Sequence, residues 1–114
     1  HPLRGALFEN WVVSELAKEQ ANRGESPAVQ FWRDKEGHEV DAVVESGRAV
    51  HGIEIKAGRT VAGDFFDGLD FWRRHNTSRS ALCSWLVYGG DTAQSRERGT
   101  VVPWQEIRTL LSAL

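Results

Sequence analysis

The stretch HEVDAVVESGRAVHGIEIKAGRT, His38 to Thr60, decides how the chain is read. Two valine- and isoleucine-rich runs flank a Ser46-Gly47 turn in the segment ESGR, which predicts a hairpin of strands over Glu39–Glu45 and Val50–Lys56. Each strand carries charge among its apolar residues: Asp41 in the first, Glu54 and Lys56 in the second. Side chains alternate between the two faces of a strand. Glu39 and Asp41 are therefore expected on one face, and Glu54 and Lys56 on the face opposite Ile53 and Ile55. If the strands pair, Asp41 and Glu54 fall on the same face of neighbouring strands. Two facing carboxylates repel each other and call for a cation, and hard oxygen donors suit Mg²⁺ or Mn²⁺. Lys56 then reaches past the metal toward a phosphate or a water.

An acid-x-Lys triplet alone arises easily on an exposed sheet face. The weight comes from Asp41 one strand earlier and from a carboxylate on the first helix. Leu3–Gln20 reads as a helix on which Leu7, Phe8, Trp11, Val12, Val13 and Leu16 form one apolar arc. Glu9 falls inside that arc, where a carboxylate is costly unless something pairs with it. Carboxylates, a divalent metal and a lysine together make a phosphodiester-hydrolysis kit, because the metal polarises the phosphoryl group and lowers the pKa of a bound water.

The remaining elements follow from periodicity and breakers. ANRGESP, with Gly24 and Pro27, ends the first helix. Val29–Arg33 reads as a short strand. Asp64 reads as the cap of a second helix running to His75, with Phe65, Phe66, Leu69 and Trp72 on one face, and NTSRS breaks it. Ala81–Tyr88 is strongly apolar and reads as a buried central strand. GGDTAQSRERG reads as a polar loop, Thr100–Val102 as a short strand, and Pro103 as the start of a last helix bearing Trp104, Ile107, Leu110, Leu111 and Leu114. The order α-β-β-β-α-β-β-α predicts an α/β fold, a mixed β-sheet flanked by helices. Leu7, Val43, Ile53, Ile55, Leu82 and Leu86 are expected in the core, as are Trp11, Trp72 and Trp104.

Composition bounds the rest. The chain has 114 residues, 40% hydrophobic and 26% charged, as expected of one globular domain. A net charge of -2 does not advertise nucleic-acid binding by the whole surface. No apolar run approaches the roughly 20 residues of a membrane span, and no signal-peptide pattern is present. The single cysteine, Cys83, has no internal partner and reads as a buried strand thiol; a reduced, cytoplasmic setting is expected. There is no methionine, so the chain is expected to be a piece of a longer protein, with HPLRG as a linker.

GALFENWVVSEL, FWRDKEGHEVDAVVE and IEIKAG together resemble the PD-(D/E)XK nuclease superfamily, the restriction-endonuclease-like fold. More narrowly, with the late VVPW, nearly the whole chain resembles the C-terminal domain of prokaryotic AAA+ ATPases. The lead acid comes as Val-Asp rather than Pro-Asp, which keeps the carboxylate. The resemblance implies a metal held by Asp41, Glu54 and the Ile55 backbone carbonyl, Glu9 completing the shell, and Lys56 positioning or activating water. It also implies DNA as substrate and an N-terminal ATPase domain as partner.

Arg33 and Arg59 are candidate phosphate contacts, Arg59 the better placed because it follows the Glu54–Lys56 strand. Arg73 and Arg74 read as complements to a helix dipole. SRER reads as solvated, and His38 and His51 as surface histidines at strand starts. The leading expectation is a divalent-metal-dependent nuclease that hydrolyses DNA. The alternative is a catalytically inactive DNA- or protein-binding module on the same fold. A dimerisation domain, the third possibility, would show a large exposed apolar helix face.

Overall fold

The computed structural model describes residues 2–47, 49–76 and 80–114. The elements run α1 (Pro2–Asn22), β1 (Gln30–Arg33), β2 (Glu39–Ser46), β3 (Ala49–Lys56), a 3₁₀ turn (Gly63–Phe66), α2 (Asp67–His75), β4 (Ala81–Tyr88), β5 (Gln94–Arg96), β6 (Gly99–Pro103), a second 3₁₀ turn (Trp104–Glu106) and α3 (Arg108–Ala113). The expected hairpin forms: β2 and β3 pair antiparallel from Ala42 opposite Ile53 to Ser46 opposite Ala49. Gly47 turns the corner at φ 58°, a left-handed angle glycine adopts without steric cost. Arg48, expected in the same turn, lies outside the described residues, as do His1 of HPLRG and Thr77, Ser78 and Arg79 of the expected NTSRS break.

Six strands make one mixed sheet in the order β1-β2-β3-β4-β6-β5. β3–β4 and β4–β6 are parallel; the other pairs are antiparallel. Parallel neighbours need a crossover, and α2 supplies it between β3 and β4. The sheet separates two cores. Val12 and Leu16 of α1 and Leu110 and Leu111 of α3 share one with Ile53, Ile55 and Val87. Leu69 and Trp72 of α2 share the other with Val40, Leu86 and Val101. Trp72 lies flat on β3 because residue 52 is glycine; a Cβ there would sit 2.7 Å from the indole. Among the described residues, no helix is long and apolar enough to cross a membrane.

The expected mixed sheet flanked by helices is therefore present, with one strand more than expected. β5 lies inside the polar GGDTAQSRERG segment and pairs with β6 at the sheet edge. An edge strand with no buried face carries no apolar alternation, so periodicity missed it. The second helix opens through a 3₁₀ turn with no side-chain cap, so Asp64 does not cap it. Pro103 ends β6, and a 3₁₀ turn precedes the last helix.

The core expectation holds for Ile53, Ile55 and Leu86 but not for all six residues. Val43 and Leu82 are half-buried, and Leu7 is 60% exposed. Trp72 is buried, whereas Trp11 and Trp104 are 36% and 41% exposed. The α1 stripe facing the sheet is narrower than the apolar arc, so among the described residues its Leu7–Trp11 flank is only partly covered, Trp11 meeting Trp104 edge to face. Cys83 is half-buried rather than buried.

Candidate active site

The site grows from an irregularity in β2. Between the pairs Gln30–Val43 and Trp32–Val40, one β1 residue, Phe31, faces two of β2, Asp41 and Ala42. That extra residue is a bulge, a device that re-aims side chains. Val40 packs into the core under α2, while Ala42 and Val44 pack into the opposite one. The simple alternation that put Glu39 and Asp41 on one face thus breaks at Asp41. Here the β2–β3 ladder stops, and the Asp41 carboxylate takes over: its Oδ2 accepts the Ile55 N–H at 2.7 Å.

Glu54 is 7% exposed, beside Leu86 on the face where α2 packs. Its carboxyl is pushed up to about 9, first by burial, then by a hydrogen bond with Asp41 and by the Asp41 charge; Lys56 pulls the other way. The two carboxyls are therefore disposed to share one proton across that hydrogen bond. Gly68, at the start of α2, closes the site from above. A Cβ there would overlap the Glu39 carbonyl oxygen and lie 3.4 Å from Glu54 Oε2. Lys56 sits at the open end, its Nζ 5.1 Å from the Phe65 ring centroid. The Glu9 carboxyl is raised, first by burial and then by the charges of Asp41 and Glu39, with Lys56 opposing. Asp41 and Lys56 thus act electrostatically on both Glu9 and Glu54, which brings the four residues of three elements into one field.

They do not form a tight ligand shell. Among the described residues, the trio whose ligand atoms lie within 4.8 Å of one another is Asp34, Glu36 and His38, in the β1–β2 turn. One Asp41 oxygen is committed to the Ile55 amide. Arg33 pairs with Glu39 at 3.7 Å, which ties its guanidinium at the margin of the site. Arg59 is exposed in the loop after β3.

Two side chains, His51 and Arg98, depart from their expected roles, and Arg73 takes on a second one. His51 is buried, 2% exposed, and its Nδ1 accepts the Trp85 indole N–H at 3.0 Å. It pairs in mid-strand with Val44 and Cys83, so it is neither a surface residue nor part of the site. Arg73 and Arg74 lie in the last turn of α2, as expected of complements to its dipole, and Arg73 also donates to the Leu82 carbonyl at 2.9 Å and to Ser84 Oγ at 3.1 Å, joining α2 to β4. Arg98, in the segment expected to be solvated, donates to Asp67, Asp70 and the Gly63 carbonyl, and so pins the 3₁₀ turn and α2 above the site. No local pattern marks Arg98, because its partners lie 28 to 35 residues away. His38 meets Asp34 at 2.7 Å and stacks on Phe71 at 3.5 Å, a structural use.

Fold and site together define a mixed α/β domain with a carboxylate pair and a lysine at the frayed end of its central hairpin. The chain belongs to the family described as Domain of unknown function (DUF4143), whose model matches residues 4–107. This domain is found in AAA-ATPase-associated proteins. No curated protein and no solved structure matches the chain.

Proposed function

We propose that this chain is a divalent-metal-dependent nuclease domain of the PD-(D/E)XK type, hydrolysing DNA phosphodiester bonds and joined to an ATPase in its parent protein. The observation that carries the reading is the Asp41–Glu54 pair, two carboxylates from adjacent strands meeting at the point where β2 leaves β3. A buried acid pair is a poor way to gain stability, since apolar residues of similar volume serve at least as well. The donors are all hard oxygens, which fits Mg²⁺ or Mn²⁺. Asp41, Glu54 and the Ile55 carbonyl would hold the ion, with Glu9 completing the shell. When bound, it would supply Lewis-acid polarisation and a more acidic water.

The chain's own residues have separate tasks. Glu54 must release its proton before it can act as a ligand, so metal loading liberates a proton and strengthens as pH rises. Asp41 keeps its link to Ile55, which fixes the carboxylate in place. Lys56 is a point charge that orients the attacking water and meets the negative charge developing on the phosphoryl oxygens during in-line displacement. Arg33 and Arg59 flank the site as candidate phosphate contacts.

A second reading has its own support. Asp41 and Glu54 already satisfy each other through a shared proton, and the net charge of -2 offers a polyanion little attraction. On that reading the domain is a non-catalytic module that contacts DNA, the ATPase or a partner protein. Thermal unfolding with and without Mg²⁺ or Mn²⁺ separates the two. A ligand that binds only the folded state raises the melting temperature. Nuclease chemistry requires that rise, and the binding module shows none.

A further inference from the structure

A cavity of about 470 Å³ opens between α2 and strands β4, β5 and β6, within the size range of small-molecule sites. None of Glu9, Asp41, Glu54 and Lys56 lines it. Three arginines do, Arg73 of α2, Arg96 of β5 and Arg98 of the β5–β6 turn, against two acids, Asp70 and Glu97. Arg98 is neutralised by Asp67 and Asp70. Arg73 and Arg96 are held differently. Arg73 Nη1 donates to the Leu82 carbonyl and to Ser84 Oγ. Arg96 Nε donates to Gln94 Oε1 at 2.9 Å, and its guanidinium lies 5.7 Å from the Phe66 ring centroid. These partners are neutral, so they orient both guanidiniums and leave both charges uncompensated. Among the described residues, neither has a carboxylate partner. The β5–β6 hairpin brings the two together. Gly99 pairs with Arg96, and a Cβ on Gly99 would lie 3.1 Å from the Ser84 carbonyl oxygen and 3.3 Å from the Phe66 ring. The arginine that grips Ser84 and the arginine that lies over Phe66 thus share the floor at Gly99.

We propose that Arg73 and Arg96 clamp a phosphate monoester in this cavity, a site separate from the carboxylate pair and independent of the nuclease reading. A guanidinium presents its N–H groups as a planar fork that matches two phosphate oxygens. Arg73 keeps Nε and Nη2 for such a contact, and Arg96 keeps both terminal nitrogens. Ser84 is buried, and its hydroxyl oxygen accepts from Arg73, so its own proton remains to be donated. Thr100 adds a second hydroxyl to the lining. Two uncompensated cations match the near-double negative charge of a phosphate monoester at neutral pH. A backbone phosphodiester brings one charge only, and Glu97 in the same lining opposes every anion. The balance therefore selects the monoester, either free in solution or at the end of a nucleic-acid strand.

The test is isothermal titration calorimetry of the full 114-residue chain, in phosphate-free buffer with EDTA, against inorganic phosphate, thymidine 5′-monophosphate and thymidine. The two phosphates are expected to bind at millimolar concentration or below, and thymidine is not. Arg96→Gln, on an exposed edge strand, should weaken phosphate binding about tenfold. Arg96→Lys should recover only part of that loss, because an ammonium keeps the charge and lacks the fork. Glu97→Gln should tighten binding. Circular dichroism checks each fold, and Arg73→Gln takes the place of Arg96→Gln should the latter not fold. Oligothymidylate with and without a 5′-phosphate distinguishes the two sources. A phosphorylated strand that binds more tightly than the monophosphate assigns the site to strand ends, and equal binding assigns it to a free ester. Three results overturn the proposal: no binding of either phosphate, equal affinity of wild type and the folded arginine variant, or equal affinity for the two strands, which would give the arginines to the phosphodiester backbone.

Discussion

The Asp41 carboxylate accepts the backbone N–H of Ile55 at 2.7 Å, in the place where the β2–β3 ladder has stopped. One side chain thus satisfies a buried amide and holds a strand end open for Glu54 and Lys56. Its two jobs can be separated by substitution. Asp41→Ala leaves the Ile55 N–H without an acceptor and should cost about 1–3 kcal/mol of stability. Asp41→Asn keeps a carbonyl acceptor, so it should unfold close to the wild-type temperature yet lose Mn²⁺ affinity by tenfold or more. Thermal unfolding and Mn²⁺ titration of both variants check this; equal Mn²⁺ affinity in Asp41→Asn and wild type would remove Asp41 from the ligand set.

The pH dependence of stability has a defined sign. Glu54 ionises near its ordinary 4.5 when unfolded but only at about 9 when folded. Across that range the native state keeps a proton that the unfolded state has lost, so stability falls as pH rises, by up to about 1.4 kcal/mol per unit. Glu9, raised in the same direction, adds to the loss just above 4.5. His51, which burial lowers from 6.5, acts oppositely: below 6.5 the unfolded chain takes up a proton that the native state refuses, so stability is lost as pH falls. The opposing effects offset each other just below 6.5. Net loss of stability is expected from about pH 6.5 to 9, and Glu54→Gln should flatten it. Melting curves across this range decide, and a wild type as stable at pH 9 as at 6.5 contradicts the assignment.

Gly68 sets how closely α2 approaches the site. A methyl there meets the Glu39 carbonyl oxygen, which is backbone and cannot swing aside. Gly68→Ala would normally help a helix by about 1 kcal/mol. Here the overlap should win and destabilise the chain by about 1–3 kcal/mol. A rise in melting temperature would show that α2 can lift away freely.

Arg98 anchors the roof of the site through Asp67 and Asp70. Exposed ion pairs contribute little singly, about 0–1 kcal/mol, so Arg98→Ala should barely move global stability. Its effect should be local: faster amide exchange across the Gly63–Asp70 segment, read by hydrogen–deuterium exchange. Unchanged exchange there would mean that the packing of Phe66 and Leu69 alone fixes the turn.

The parts of this fold legible in the sequence are those with strong periodicity. Ala81–Tyr88 was read residue for residue, and the hairpin within one residue at each strand. The meeting of Asp41 with Glu54 was also legible, since a short hairpin leaves few registers. The bulge at Asp41 was not, because nothing in EVDAVV marks where a ladder will stop. Leu7, Trp11 and Trp104 misled for a physical reason: an apolar arc shows what a helix can bury, and the neighbouring elements decide what it does bury. Glu19 and Gln20 were missed for the converse reason. Both are buried polar residues, Glu19 accepting from Arg108 at 2.7 Å and Gln20 bonding the Ala28 backbone, and both partnerships exist only in the folded chain.

The central claim is that Asp41, Glu54 and Lys56 make a metal-dependent phosphodiester-cleaving site. Digestion of plasmid and branched DNA in Mn²⁺, wild type beside Lys56→Ala, tests it most directly. Lys56 acts chiefly where charge builds in the transition state, so the account predicts cleavage by the wild type and none by a folded Lys56→Ala that still binds DNA. A wild-type chain that neither cuts DNA nor gains thermal stability from Mn²⁺ contradicts it, as does a Lys56→Ala variant that cuts at the wild-type rate.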